Sequence, residues 1–174
     1  MDSQPLNLSG GLAGTGRRDT VVEQYIALGR KTGRKVFRPR ELCWLAEACI
    51  AFNQFDEASE ALDEALTIAE SDGARDCEAE AHRLRGELLL RKSEANRVEA
   101  KICFERAIEV ARQRSARWWE LRATVSLARL QAKQGRRDEA RATLAEIYNW
   151  FTEGLENADL KDAKLLLDRL SSES

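Results

Sequence analysis

The chain has 174 residues, one third of them charged, with 28 Lys and Arg against 30 Asp and Glu and a net charge of −2. That length allows about one domain, and the near balance of charge excludes a wholly basic nucleic-acid binder. No apolar run approaches the roughly 18 residues of a membrane span, and the N-terminus lacks the charged-then-apolar order of a signal peptide; the expectation is a soluble protein of the cytoplasm.

Residues 1–18 are rich in Gly, Ser and polar side chains and have no hydrophobic period, so a flexible arm is expected there. Gly11 to Gly16 followed by Arg17 falls short of a phosphate-binding loop. Such a loop needs Lys and then Ser or Thr after its last glycine, to reach phosphate and to hold magnesium. A single helical repeat domain is expected over residues 19–170, with 171–174 as a tail. Asp19 or Thr20 can cap a first helix from Val21 to Lys31, ended by Gly33. Six basic residues then fall between Arg30 and Arg40. With only Phe37 among them, a solvated connection is favoured over a nucleic-acid patch.

Pro39 suits the first turn of the next helix, Glu41 to Phe52, and its partner runs from Asp56 to Glu70. A central pair is expected over 76–91 and 97–113, and a third over 116–134 and 137–151. Asn157 reads as the N-cap of a last helix ending at Leu170, with Leu160, Ala163, Leu167 and Leu170 on one face. Lys161, Asp162, Asp168 and Arg169 give its other face the polarity of a capping helix.

These pairs are copies of one design. Ala58, Leu62, Ala65 and Ala69 fall at i, i+4, i+7 and i+11, one stripe of an α-helix. Ala100, Phe104, Ala107 and Ala111 repeat the spacing, as do Ala140, Leu144, Ile147 and Phe151. A small residue precedes each turn: Ala46, Gly86 and Ala128. The separations are 12 residues for Ala46–Ala58 and Ala128–Ala140 but 14 for Gly86–Ala100, so the middle turn is two residues longer. Helix pairs recurring at 42 and then 40 residues define an all-α solenoid. Gly86 weakens a helix by about 0.8–1 kcal/mol relative to Ala, so a close helix crossing at Gly86 and Ala100 is its expected use.

Chemistry is sparse. Cys43, Cys49, Cys77 and Cys103 form no CxxC, and His82 is the single histidine. No metal site or other cofactor is expected. Cys49 and Cys103 fall at inward repeat positions and read as small reduced core residues, and His82 reads as structural. Carboxylate pairs such as Glu78 and Glu80 fall at spacings of solvated helix faces, so no enzyme is expected. Of Trp118 and Trp119, one is expected to pack into the repeat stack; for the other, packing at the core's rim is favoured over an exposed partner anchor.

The small residue, the alanine twelve residues later, and the large and small apolar residues at +4 and +7 resemble the tetratricopeptide repeat. That repeat has a period of about 34 residues, shorter than here. The segments LAEA (45–48), EAHRLRGELLL (80–90), LRATVSLARL (121–130), QGRRDEAR (134–141) and DLKDAKLLLDRL (159–170) are similar to the C-terminal repeats of bacterial multidomain regulators. Those regulators carry a nucleotide cyclase or DNA-binding domain and an ATPase module. The resemblance implies a right-handed superhelix of three helix pairs, with a helix before and a cap after. It also implies a non-catalytic scaffold or regulatory module for protein partners.

In this family the first helix of each pair lines a concave groove. By that correspondence the groove residues are Arg40, Cys43, Glu47, Ile50 and Ala51, then Arg83, Glu87, Leu90 and Arg91, then Arg122, Val125, Arg129, Ala132 and Lys133. Six basic residues against Glu47 and Glu87 favour an acidic peptide. Family members that bind chaperone tails clamp a carboxylate with Lys and Asn; Cys43, Glu47, Val125 and Arg129 depart from that pattern. Self-association, and a separated part of a cyclase or ATPase regulator, are the alternative readings.

Overall fold

The protein is described from a computed structural model, over residues 39–71 and 77–172. The expected arm and first helix, with the basic run up to Arg38, lie outside the described residues. Seven α-helices follow: α1 (Pro39–Ala51), α2 (Phe55–Ser71), α3 (Glu78–Lys92), α4 (Arg97–Gln113), α5 (Arg117–Lys133), α6 (Arg137–Tyr148) and α7 (Ala158–Ser172). α1 opens on Pro39, whose fixed φ and missing N–H suit a first helical position. α7 opens on Asn157, whose Oδ1 accepts from the Asp159 N–H at 2.9 Å. It continues to Ser172, two residues past the expected end.

Three turns are built identically. After α1, Gln54 N–H donates to the Cys49 carbonyl at 2.8 Å and Asn53 N–H to Ile50 at 3.2 Å. Ala116 to Ala111 with Ser115 to Arg112, and Arg136 to Gln131 with Gly135 to Ala132, repeat this double closure. Each needs one residue in the left-handed region, supplied by Asn53, Ser115 and Gly135. The middle turn differs, and its two extra residues explain why. A short 3₁₀ segment, Glu94–Asn96, joins α3 to α4. Ser93 Oγ accepts from the Ala95 N–H at 3.1 Å, and Asn96 Nδ2 donates to the Leu89 carbonyl at 3.0 Å.

The repeated stripes are the core. Ala46, Ala58, Ala100, Ala128 and Ala140 are fully buried, as are Leu62, Phe104 and Leu144. Gly86 meets the ring of Phe104: a Cβ on Gly86 would lie 2.7 Å from Cδ1, 2.9 Å from Cζ and closer still to Cε1. The close approach is therefore to Phe104, one turn beyond Ala100. Along the stack, one cluster joins Phe104, Ile108, Leu127 and Leu130, and the next joins Leu121, Leu144, Leu160 and Leu170.

Each helix packs on its sequence neighbours. In addition α1 touches α3, α3 touches α5, and α5 touches α7, whereas α2, α4 and α6 do not touch one another. A stack whose first helices meet while the second helices splay curves toward the first. The inner, concave layer is therefore α1, α3, α5 and α7.

Candidate partner-binding groove

The inner layer is joined by charge. On α3, Arg83 grips Glu80 with two hydrogen bonds, Nε to Oε2 at 2.9 Å and Nη2 to Oε1 at 2.7 Å. It also lies 3.6 Å from Glu47 of α1 and 3.7 Å from Glu87. From α5, Arg122 reaches Glu80 at 2.9 Å, Glu47 at 3.2 Å and Asp159 of α7 at 4.0 Å. Its guanidinium also lies over the Trp119 ring, 5.6 Å from the centroid. Glu87 accepts from Ser126 Oγ at 2.6 Å, and Arg129 donates to both oxygens of Asp162 at 2.5 and 2.6 Å. All four inner helices are thus tied by two hub arginines.

Glu80 and Arg83 are buried in this cluster. Burial alone would raise the Glu80 carboxyl pKa. The charge and hydrogen bonds of Arg83, with the charge of Arg122, outweigh it and hold the pKa below the usual value. For Arg83, burial works against the charged form, but Glu80 and then Glu87 and Glu47 hold the guanidinium firmly protonated. The pair is ionised on both sides because each partner fills the other's hydrogen-bonding positions.

This geometry changes the expected groove. Arg83 is buried and serves the helix stack rather than a ligand. Cys43, Ile50 and Val125 are buried too, so they are not open to a ligand. The locally positive groove is also corrected. Glu80, Asp159 and Asp162 add three carboxylates that local spacing did not bring to this face, and they engage Arg83, Arg122 and Arg129. Arg40, Arg91 and Lys133 stay exposed, with no ion pair to any described residue. Arg91 lies four residues beyond Glu87 and Lys133 four beyond Arg129, so both stand one turn past the paired centre.

Neither tryptophan of the 118–119 pair is an exposed anchor. Trp118 and Trp119 are both half-buried. Trp118 sits edge-on to Phe151 and donates from Nε1 to Asp159 at 3.0 Å. Trp119 packs beside Ala79, Val110 and Ala111. The exposed indoles are Trp44, 51 % exposed on α1, and Trp150, 57 % exposed after α6. Trp44 shares a helix face with Arg40 and Glu47 at i−4 and i+3. That spacing was the signal in the sequence that could have placed it beside the groove. His82 is half-buried. Burial lowers its pKa, with Glu78 opposing and Arg106 and Arg85 adding to the fall.

The tetratricopeptide repeat family model matches residues 42–72, the span of the first helix pair. The molecule is therefore an all-α solenoid of tetratricopeptide-like helix pairs. Repeats of this kind in general hold protein partners and are not catalytic. No curated protein matches the chain. Among the described residues no helix is long and apolar enough to cross a membrane.

Proposed function

We propose that the protein is a non-catalytic binding module that takes an acidic segment of a partner protein along the inner face of α1, α3 and α5. The observation that carries this is the division of the cations. Arg83, Arg122 and Arg129 are used within the fold, while Arg91 and Lys133 stand exposed and unpaired among the described residues, at the same ends of neighbouring inner helices. They can supply charge-assisted bonds to carboxylates, and Trp44 with Arg40 offers an aromatic and cationic contact on α1. The resemblance to bacterial multidomain regulators supports a cytoplasmic scaffold or sensory role.

A fluorescent glutamate-rich peptide titrated by anisotropy tests the chemistry. Saturable binding should weaken with salt and fall further in Arg91→Glu/Lys133→Glu. Equal binding by wild type and variant at low salt would contradict the reading. Self-association is a second reading, favoured by Val98 (68 % exposed) and Ile102 (60 % exposed), one turn apart on α4 in the outer layer. Sedimentation separates the two, since only self-association gives mass that rises with concentration.

A further inference from the structure

We propose that Cys43 and Cys77 are a redox modification site, oxidised by a low-molecular-weight disulfide to an intramolecular disulfide that ties α1 to the start of α3. Cys43 lies within α1 and Cys77 immediately before α3, 34 residues apart in sequence. Both are 2 % exposed. The Cys43 thiol donates to the Cys77 carbonyl at 3.9 Å, and the Cys77 side chain is the largest influence raising the Cys43 pKa. The other two cysteines lack such a neighbour. Burial and then Glu57 push the Cys49 thiol up to about 11. Cys103 is shifted by burial, Arg85 and Glu99, with no cysteine among the causes.

The two sulfurs have different roles. Cys77 lies immediately before α3 and Cys43 within α1, so fraying of a helix end exposes Cys77 first. Cys43 is kept as a protonated thiol by its hydrogen bond to Cys77, then by burial and the charges of Cys77 and Glu80. Cys77 is therefore the attacking sulfur and Cys43 the resolving one. Cys77 gives up its proton and attacks one sulfur of the oxidant, forming a mixed disulfide and expelling a small thiolate. Cys43 gives up its proton, attacks the Cys77 sulfur and expels the second small thiolate. Two electrons pass from the protein pair to the oxidant, and the two protons end on two small thiols. Because both sulfurs are buried, each step needs a local opening between α1 and α3, so the site reacts more slowly than an exposed thiol. The product bridges the α1–α3 contact in which Glu47 meets Arg83 and locks that edge of the inner layer.

The test is incubation of the native full-length chain with oxidised glutathione, alkylation without reduction, and intact-mass and peptide analysis. The expected product has lost two hydrogens, joins the Cys43 and Cys77 peptides, reverts with dithiothreitol and melts at a higher temperature. Cys49 and Cys103 remain alkylated. Cys43→Ser should stop at a mixed disulfide on Cys77. Persistent alkylation of both Cys43 and Cys77 in the wild type would overturn the proposal. So would a bridge through Cys49 or Cys103, or a bridge formed only in denaturant. If Cys43→Ser fails to fold, the wild-type peptide map decides alone.

Discussion

Two glycines in this chain occupy their positions for opposite reasons. Gly86 has ordinary helical backbone, but its missing Cβ leaves room for Phe104, which is fully buried and cannot swing aside. Gly135 has open space around it but a φ of +78°. Gly86→Ala should therefore cost on the order of 1–3 kcal/mol through overpacking, measured by denaturant melts. Phe104→Leu in the same chain should recover part of that loss. Gly135→Asn should be close to neutral, because Asn adopts the left-handed conformation with little strain. Equal losses at the two sites would contradict this division. The sequence made Gly86 legible as a packing residue, since a mid-helix glycine in an alanine's repeat position has a cost to offset. It could not show that the Phe104 ring, rather than the Ala100 backbone, sets the limit.

At the scale of elements, the inner helices are fastened through a buried charge cluster as well as through apolar packing. Glu80→Gln leaves Arg83 buried without its main counter-charge and should cost about 3–5 kcal/mol, read as a lower urea midpoint. The pH dependence follows from two groups with depressed values. Glu80 lies below its ordinary 4.5 in the folded chain, so its stabilisation is present above that pH and is lost as pH falls through the folded value. His82 lies below its ordinary 6.5, so the unfolded chain gains a proton first as pH drops below 6.5 and stability declines there. The melting temperature should fall in two windows. His82→Gln should flatten the upper one, and Glu80→Gln the lower. A melting temperature constant from neutral pH down into the acid range would contradict both assignments. These partners were only partly readable in sequence. Arg83 and Glu80 are three residues apart on one helix, but Arg122 meets Glu47 across 75 residues, and no local period encodes that contact. For the same reason Asp162 reads from the sequence as part of a solvated outer face, although it holds Arg129.

At the scale of the whole molecule, the repeat itself was legible. The three aligned stripes, the unequal spacings of 12 and 14 residues and the polar last helix are properties of local sequence, and the helices and turns follow them. The inner face was not legible in the same way, because its charge depends on which residues of different helices meet. The account's central claim is that the partner binds this inner face through the cations the fold does not use. Capture from a native cell extract, with mass spectrometry of what is retained, tests it most directly if three chains of equal melting temperature are compared. These are the wild type, the inner-face variant Arg91→Glu/Lys133→Glu and the outer-face variant Val98→Ser/Ile102→Ser. The account predicts one retained partner with an acidic segment, lost from the inner-face variant and kept by the outer-face variant. Retention by the inner-face variant at low salt, with loss from the outer-face variant, would contradict it.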